Sequence, residues 1–543
     1  MDLPHDVTSE IDRALRDADL DAIESMSDRL WYALPAAAGR ELADLLSALP
    51  RQAILRRPRL LLLFAQSSQF SDGAGDVTLR HLLRAFTVFA PHFASAFATM
   101  EDPDEALVAG MFAVIGLRLD GELYESEATA QKLERTLRLH ARAGRSTTSR
   151  PGWLPAQRAL TAMLRGRFTE AFGFARRAYE EAGPTPHQQT AGKDGAGYAA
   201  LLAAFAGSRD VSLGWLSKHA GIDGVPNHIH PLVDAAAILA RAVLALDALD
   251  TDSARAYLQE FGPSAGGYEI WPYIAMVWSR HDQILGNTAT GLARMDDIMF
   301  ANAAPSDADT LAGGLLLRAR ADLLLEAGEG TTVISLARQH PHAPMLQIAA
   351  ARAHLRAGDF ADALRIASIP GLARGATRRD TVDLLLISAS AHLRRDESDE
   401  AARDFAQAIE CFAFTGDVST FREIDDDDRR RLCALVGVDD PLASILPHLS
   451  PRCRAAVRVV QLSPRERVVL RELATDAPLD AIAVRLSVSI NTVKTQTRRI
   501  YRALGATSRE EAVLLATQQG LLAASPSPST AEGGIDRIHT PKG

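Results

Sequence analysis

From about Ile11 to Ala413 apolar residues recur at every third and fourth position. Breakers interrupt them roughly every 15–20 residues, and the strict alternation of a half-buried strand is scarce. This pattern predicts helix after helix. Leu49 to Leu63, reading LPRQAILRRPRLLLL, is one dense block of it. A second change of pattern comes near the C-terminus. Four short periodic segments lie between Leu462 and Leu522, and each is opened or closed by a recognisable stop or start signal.

The long helical part repeats itself. Leu164–Ala171 reads LRGRFTEA and Leu355–Ala363 reads LRAGDFADA. A further copy runs from Ala391-His392-Leu393-Arg394 to Ala401, and Leu323–Glu329 (LLLEAGE) is a weaker one. Each copy predicts a helix, a tight turn at Gly or Asp, and a second helix opening on a small residue. The units resemble tetratricopeptide-like helical hairpins, whose ideal period is ~34 residues, although the full signature is absent. One hairpin cannot bury its apolar face alone, so the resemblance implies a stacked α-solenoid with a concave groove. The start of the repeat region around Leu49–Leu63 also resembles that of large LuxR-family regulators. Those often carry an ATPase domain upstream. Here there is little chain upstream and no G-x-x-x-x-G-K-[ST]; Ala191-Gly192-Lys193 is the nearest fragment, so no nucleotide hydrolysis is expected.

In the C-terminal stretch, Ser463 with Glu466 reads as a capping box with Pro464 at the first helical position, and Ser508 with Glu511 repeats the box. Asp476-Ala477-Pro478 stops the first helix, and Ser489 is the expected N-cap of the third. On a helical wheel Val493, Thr497, Ile500 and Leu504 form one stripe, roughly between 240° and 300° from Lys494. Lys494, Thr495, Arg498, Arg499 and Arg502 occupy the opposite arc, roughly between 0° and 140°. One face can be buried; the other presents cations and a hydroxyl to a groove wide enough for a helix.

At these residues the stretch resembles the LuxR-type (FixJ/NarL-type) helix-turn-helix domain of bacterial transcription regulators. The matching pieces are Leu462-Ser463-Pro464-Arg465-Glu466, Ile482-Ala483-x-x-Leu486, Ser489-x-x-Thr492-Val493-Lys494, Ile500-x-x-x-Leu504-Gly505 and Ser508-Arg509-x-x-Ala512. The chain departs from the family at Gln496, where His is usual, at Ala503, where Lys is usual, and at Asp476-Ala477, where Gly is frequent. The resemblance implies a recognition helix at about 490–504 in the major groove. It places Lys494, Thr495 and Arg498 at base edges, and Arg499, Arg502, Thr492 and Arg465 at phosphates. It also implies a homodimer, formed through the fourth helix at about Ser508–Gln519.

Charge sharpens this division. The 543 residues carry a net charge of −9, yet residues 451–523 hold 12 Lys and Arg against 6 Asp and Glu. Residues 1–450 hold 45 against 60. An acidic body repels DNA and a basic end attracts it. Asp425–Asp428 followed by Arg429–Arg431 reads as the start of a solvated helix.

The expected organisation is all-α: a helical-repeat region at 1–435, a linker at 436–455, a helix-turn-helix domain at 456–523 and a disordered tail at 524–543. Cys411, Cys433 and Cys453 lack metal spacing and read as reduced thiols. The N-terminus is not a signal peptide, and no apolar run reaches the ~20 residues of a membrane span, which points to the cytoplasm. His228-Ile229-His230 reads as a loop, without a carboxylate at ligand spacing. Trp153, Trp215, Trp271 and Trp278 read as core, with a groove of Trp271, Tyr273 and Trp278 as the alternative. No catalytic constellation, metal site or cofactor is expected. The function this supports is a DNA-binding transcription regulator whose helical region senses a protein, peptide or small molecule. The alternative is an interaction scaffold whose helix-turn-helix domain mediates assembly or binds DNA without reading it.

Overall fold

The structure is a computed structural model that describes residues 4–68, 78–226, 229–262, 265, 267–302, 311–370, 372, 377–445, 447 and 455–522. The tail from Ala524, together with His228, Pro451 and Cys453, lies outside these residues. The fold is all-α, with no strand among the described residues.

Helix pairs with three-residue turns dominate. They include Trp153–Leu164 with Phe168–Glu181, Leu311–Glu326 with Gly330–Gln339, Pro344–Arg356 with Phe360–Ala367, and Arg378–Arg394 with Ser398–Thr415. In each, one turn residue takes a left-handed backbone: Gly166, Gly328, Gly358 and Asp396, with φ of 75°, 86°, 80° and 62°. The next N–H then reaches back five residues, as from Arg167 to Ala162, Glu329 to Leu324, Asp359 to His354, and Glu397 to His392. This is the helix-ending bond pattern that satisfies otherwise orphaned carbonyls. The repeated Gly or Asp is therefore a turn requirement, as the sequence pattern predicts.

The pairs pack through alanine. Ala171, Ala363 and Ala401, each one turn into a second helix, are fully buried. Having no side chain beyond Cβ, they allow helices to approach closely. Leu60–Leu63, with Phe93 and Phe112, lie at the centre of the N-terminal core. The first helices of successive pairs also touch one another, from Ala235–Asp247 through Trp271–Leu285, Leu311–Glu326 and Pro344–Arg356 to Arg378–Arg394. Their facing side chains enclose a cavity of about 130 Å³. Its charges neutralise each other: Arg280 and Arg379 bond Asp247 and Asp417, while Arg318 and Arg352 reach Asp322 and Asp383.

Two expectations are corrected. The acid-rich segment opens a helix, Asp426–Val436, with Asp425 as its cap, and Asp425, Asp426, Asp427, Arg430 and Arg431 are exposed, but two members of the charge run are covered. Arg429 is 1% exposed and bonds Asp426 and Asp440, while Asp428 is buried against Ser390 and Arg394. Asp440 and the buried Leu442 fold back onto the body, so the proline-bearing segment begins as packed chain. Trp153, Trp215 and Trp278 are buried, as the core reading expects, and the alternative groove of Trp271, Tyr273 and Trp278 does not form among the described residues. Tyr273 is buried with its hydroxyl donating to the Met163 carbonyl at 2.7 Å, and Trp278 lies beneath the Arg294 guanidinium.

Candidate nucleic-acid interface

The C-terminal unit consists of helices Pro464–Leu473, Leu479–Arg485, Ile490–Leu504 and Arg509–Gln518. Its start signals act as the sequence predicts. The Ser463 hydroxyl accepts from the Glu466 N–H, and the Glu466 carboxylate accepts from the Ser463 N–H at 2.8 Å. That backbone bond holds the Glu466 carboxyl below its ordinary range. Ser489 caps the third helix by accepting from the Thr492 N–H at 3.1 Å. Ser508 accepts from Glu511 N–H, but the returning carboxylate bonds Thr507, both N–H and hydroxyl, rather than Ser508. The last box is thus displaced by one residue. Asp476, where the resembled family often has glycine, takes a left-handed backbone with φ of 58°.

The buried residues of helix Ile490–Leu504 are Val493, Thr497, Ile500 and Leu504. They close a core with Leu470, Leu473, Ile482 and Ala512. Lys494, Thr495, Arg498, Arg499 and Arg502 are all exposed on the outer side of the same helix, and so are Thr492 and Arg465. Among the described residues no carboxylate lies within ion-pair distance of Arg465, Lys494, Arg498, Arg499 or Arg502. Thr495 donates its hydroxyl to the Asn491 carbonyl at 2.8 Å, and Thr492 shares a hydrogen bond with the Ser489 hydroxyl. Other arginines of the unit are engaged. Arg485 pairs with Glu472 at 2.9 Å, Arg467 donates to the Leu462 carbonyl, and Arg509 donates to the carbonyls of Leu473 and Ala477. Arg509 thereby clamps the end of the first helix, a role the sequence signals only by its place after the cap.

The unit sits against the helical body without covering that face. Residues 455–460 run extended beside the turn at Gly328. Arg458 N–H donates to Gly328 O at 2.9 Å, Thr331 N–H to Arg458 O at 3.1 Å, and Val460 N–H to the Thr331 hydroxyl at 2.7 Å. Val457 and Val459 pack on the core beneath.

Two other clusters have structural explanations. His230 opens the short helix His230–Val233, and its Nδ1 lies 2.6 Å from Asp234. The sequence reading missed this carboxylate four residues on. Lys193 and His219 also reach Asp234 at 3.1 Å, so an ammonium already neutralises it. His354, Asp359 and Asp362 lie close enough together to hold a cation, but Asp359 caps the helix Phe360–Ala367 there. No helix among the described residues is long and apolar enough to cross a membrane.

A basic helix with one buried stripe, seated across two others with a tight turn between them, defines a helix-turn-helix DNA-binding unit. Residues 460–516 match the family of bacterial regulatory proteins, luxR family. The C-terminal domain is therefore a LuxR-family helix-turn-helix domain. The chain is similar there to the transcriptional regulatory protein YdfI of Bacillus subtilis, 47% identical over 62 residues, or 11% of this chain and 29% of that one. It is similar to the probable transcriptional regulatory protein NarL of Mycobacterium tuberculosis, 45% identical over 71 residues, or 13% and 33%. The chain thus spans about a third of the length of these curated relatives.

Proposed function

We propose that the protein is a sequence-specific transcription regulator of the bacterial cytoplasm. In this reading the helix Ile490–Leu504 enters the major groove. Lys494, Thr495 and Arg498 face base edges, while Thr492, Arg499, Arg502 and Arg465 contact phosphates. The observation that carries it is the separation of the two faces: four buried residues on one side, and on the other exposed cations that pair with no carboxylate among the described residues. Arg498 has the donor geometry to take guanine O6 and N7 together, worth roughly 1–3 kcal/mol of discrimination. The fourth helix carries Leu514, more than half exposed, which suits it to join two copies as a homodimer. The repeated hairpins at 1–435 are read as a degenerate tetratricopeptide-like solenoid that receives an effector; its packed part extends through Leu442, and the rest of 436–455 joins it to the DNA-binding domain at 456–523.

The test is a gel shift of the full chain with genomic fragments at several salt concentrations. Selective retention of a subset, with log affinity falling linearly against log salt, is the expected result. Uniform weak retention of all fragments overturns sequence reading and leaves the assembly scaffold.

A further inference from the structure

The Asp194 carboxylate has no hydrogen-bond donor among the described residues, and it faces a cavity of about 100 Å³. The wall is aromatic: Trp31, Tyr32, Phe86, Trp153 and Tyr198 surround it. A second space of about 60 Å³ shares Tyr198 and Glu269 with the first. An apolar cavity of ~150 Å³ takes up a benzene-sized molecule.

The neighbouring charges are already matched. Arg118 is buried and bonds both oxygens of Glu269, at 2.6 and 2.9 Å. Asp234 is held by Lys193, His219 and His230. Among the described residues, that leaves Asp194 as the charge facing the space without a partner. The contrast with the 130 Å³ cavity of the later hairpins is direct, since there each arginine has its carboxylate. Burial and the nearby Asp234 push the Asp194 carboxyl up to about 7. A half-buried carboxylate without a partner, set against aromatic side chains, is costly to keep for stability alone. Trp31 adds a second sign of a built wall. It has φ of 50° and ψ of −126°, and its buried indole N–H has no acceptor among the described residues. Strain and unmet polar groups of this kind collect at ligand sites.

We propose that this cavity binds a small organic monocation, an ammonium group on a compact apolar or aromatic body. The ammonium pairs with Asp194, and aromatic faces surround the cation and its apolar part. Its use as the effector site rests on the reading of the helical body as a sensor; the binding itself does not.

The test uses the full chain at pH 8, with benzylammonium chloride and its neutral counterpart benzyl alcohol as probes. Binding is followed by calorimetry and by tryptophan emission. Benzylammonium is expected to saturate a single site, and benzyl alcohol to bind at least tenfold more weakly. Asp194→Asn should weaken the ammonium at least tenfold while helix content and Tm stay at or above those of the parent. Equal binding of the two probes, or no saturation by benzylammonium at millimolar concentration, overturns the proposal on the unmodified chain alone. An unchanged affinity in Asp194→Asn overturns it as well. None of these outcomes bears on DNA retention, which is read separately.

Discussion

The Ser335 hydroxyl donates a hydrogen bond to the Gly520 carbonyl, tying the body helix Gly330–Gln339 to the chain just beyond the fourth helix of the DNA-binding domain. Three glycines make this seam possible. A Cβ on Gly328 would meet the Ala456 carbonyl at 2.8 Å, one on Gly330 would meet Val457 at 2.5 Å, and one on Gly520 would meet the Ser335 hydroxyl at 2.6 Å. The seam also holds a repulsion, since burial and the Arg467 guanidinium together pull Arg338 below its ordinary range. Gly328 and Gly520 need a left-handed backbone, whereas Gly330 does not. Gly330→Ala is therefore a steric probe without backbone strain, and alanine is the better helix former. It is expected to release residues 455–460 and to leave the body folded. Hydrogen exchange should accelerate at Val457–Val460 by tenfold or more, with little change at Leu346–Leu355. Unchanged protection at 457–460 would show that the seam absorbs a methyl group.

The two arginines at 498 and 499 are adjacent in sequence but serve different contacts in the proposed complex. Arg498→Ala should relax preference at one base position by roughly 1–3 kcal/mol while leaving the salt slope nearly as it was. Arg499→Ala should weaken all sites alike and lower the salt slope by about one. Competition binding against a randomised site, repeated at three salt concentrations, separates the two outcomes. If both variants bind as the parent does, the assignment of the outer face fails.

Thr497 sits inside the buried stripe at 6% exposure, and its hydroxyl has no hydrogen-bond partner among the described residues. An unmet buried hydroxyl costs about 1–3 kcal/mol. Valine has nearly the same shape and no such need, so Thr497→Val should stabilise the C-terminal domain by about 1 kcal/mol. Ile500→Ala removes apolar volume from the same core and should cost it about 2–5 kcal/mol. Urea unfolding followed by exchange at Leu470 and Leu473 reads both. A loss of stability in Thr497→Val would mean that the hydroxyl holds a water or another partner.

Much of this was legible because it is local. The stripe at 493, 497, 500 and 504 follows from helical period alone, and the caps at Ser463 and Ser489 need only three or four residues of context. The left-handed turns at Gly166, Gly358 and Asp396 were visible for the same reason. Arg429 was misread because its partner Asp440 lies beyond the helix end, and a charge run gives no sign of being covered. The Asp234 partner of His230 stands at a spacing of four, one helical turn on, so that contact is legible in the sequence. The aromatic cavity was not legible at all. Trp31, Phe86, Trp153, Asp194 and Tyr198 come from four separate stretches, and no periodicity links them before the chain folds.

Asp194 also makes stability depend on pH in a defined direction. The groups whose charges reach it are Asp234, Glu269 and Arg118, with Tyr198 beside it on the same helix. Its carboxyl is raised from 3.8 to about 7, first by burial and then by Asp234. Below pH ~4 the folded and unfolded chains both hold the proton. Between ~4 and 7 the unfolded chain has lost it and the folded chain keeps it, so stability falls as pH rises. Above 7 both forms are ionised and the loss is complete. Asparagine carries no charge at any pH and lacks this slope. Asp194→Asn should therefore nearly match the parent at pH 4 and exceed it at pH 8 by roughly 4 kcal/mol. Paired urea titrations at pH 4, 6 and 8 give the difference directly, with all other titrating groups cancelling. A difference that stays constant across that range, or that favours the parent at pH 8, would mean that Asp194 ionises at its ordinary pH or holds a counter-cation in the free protein.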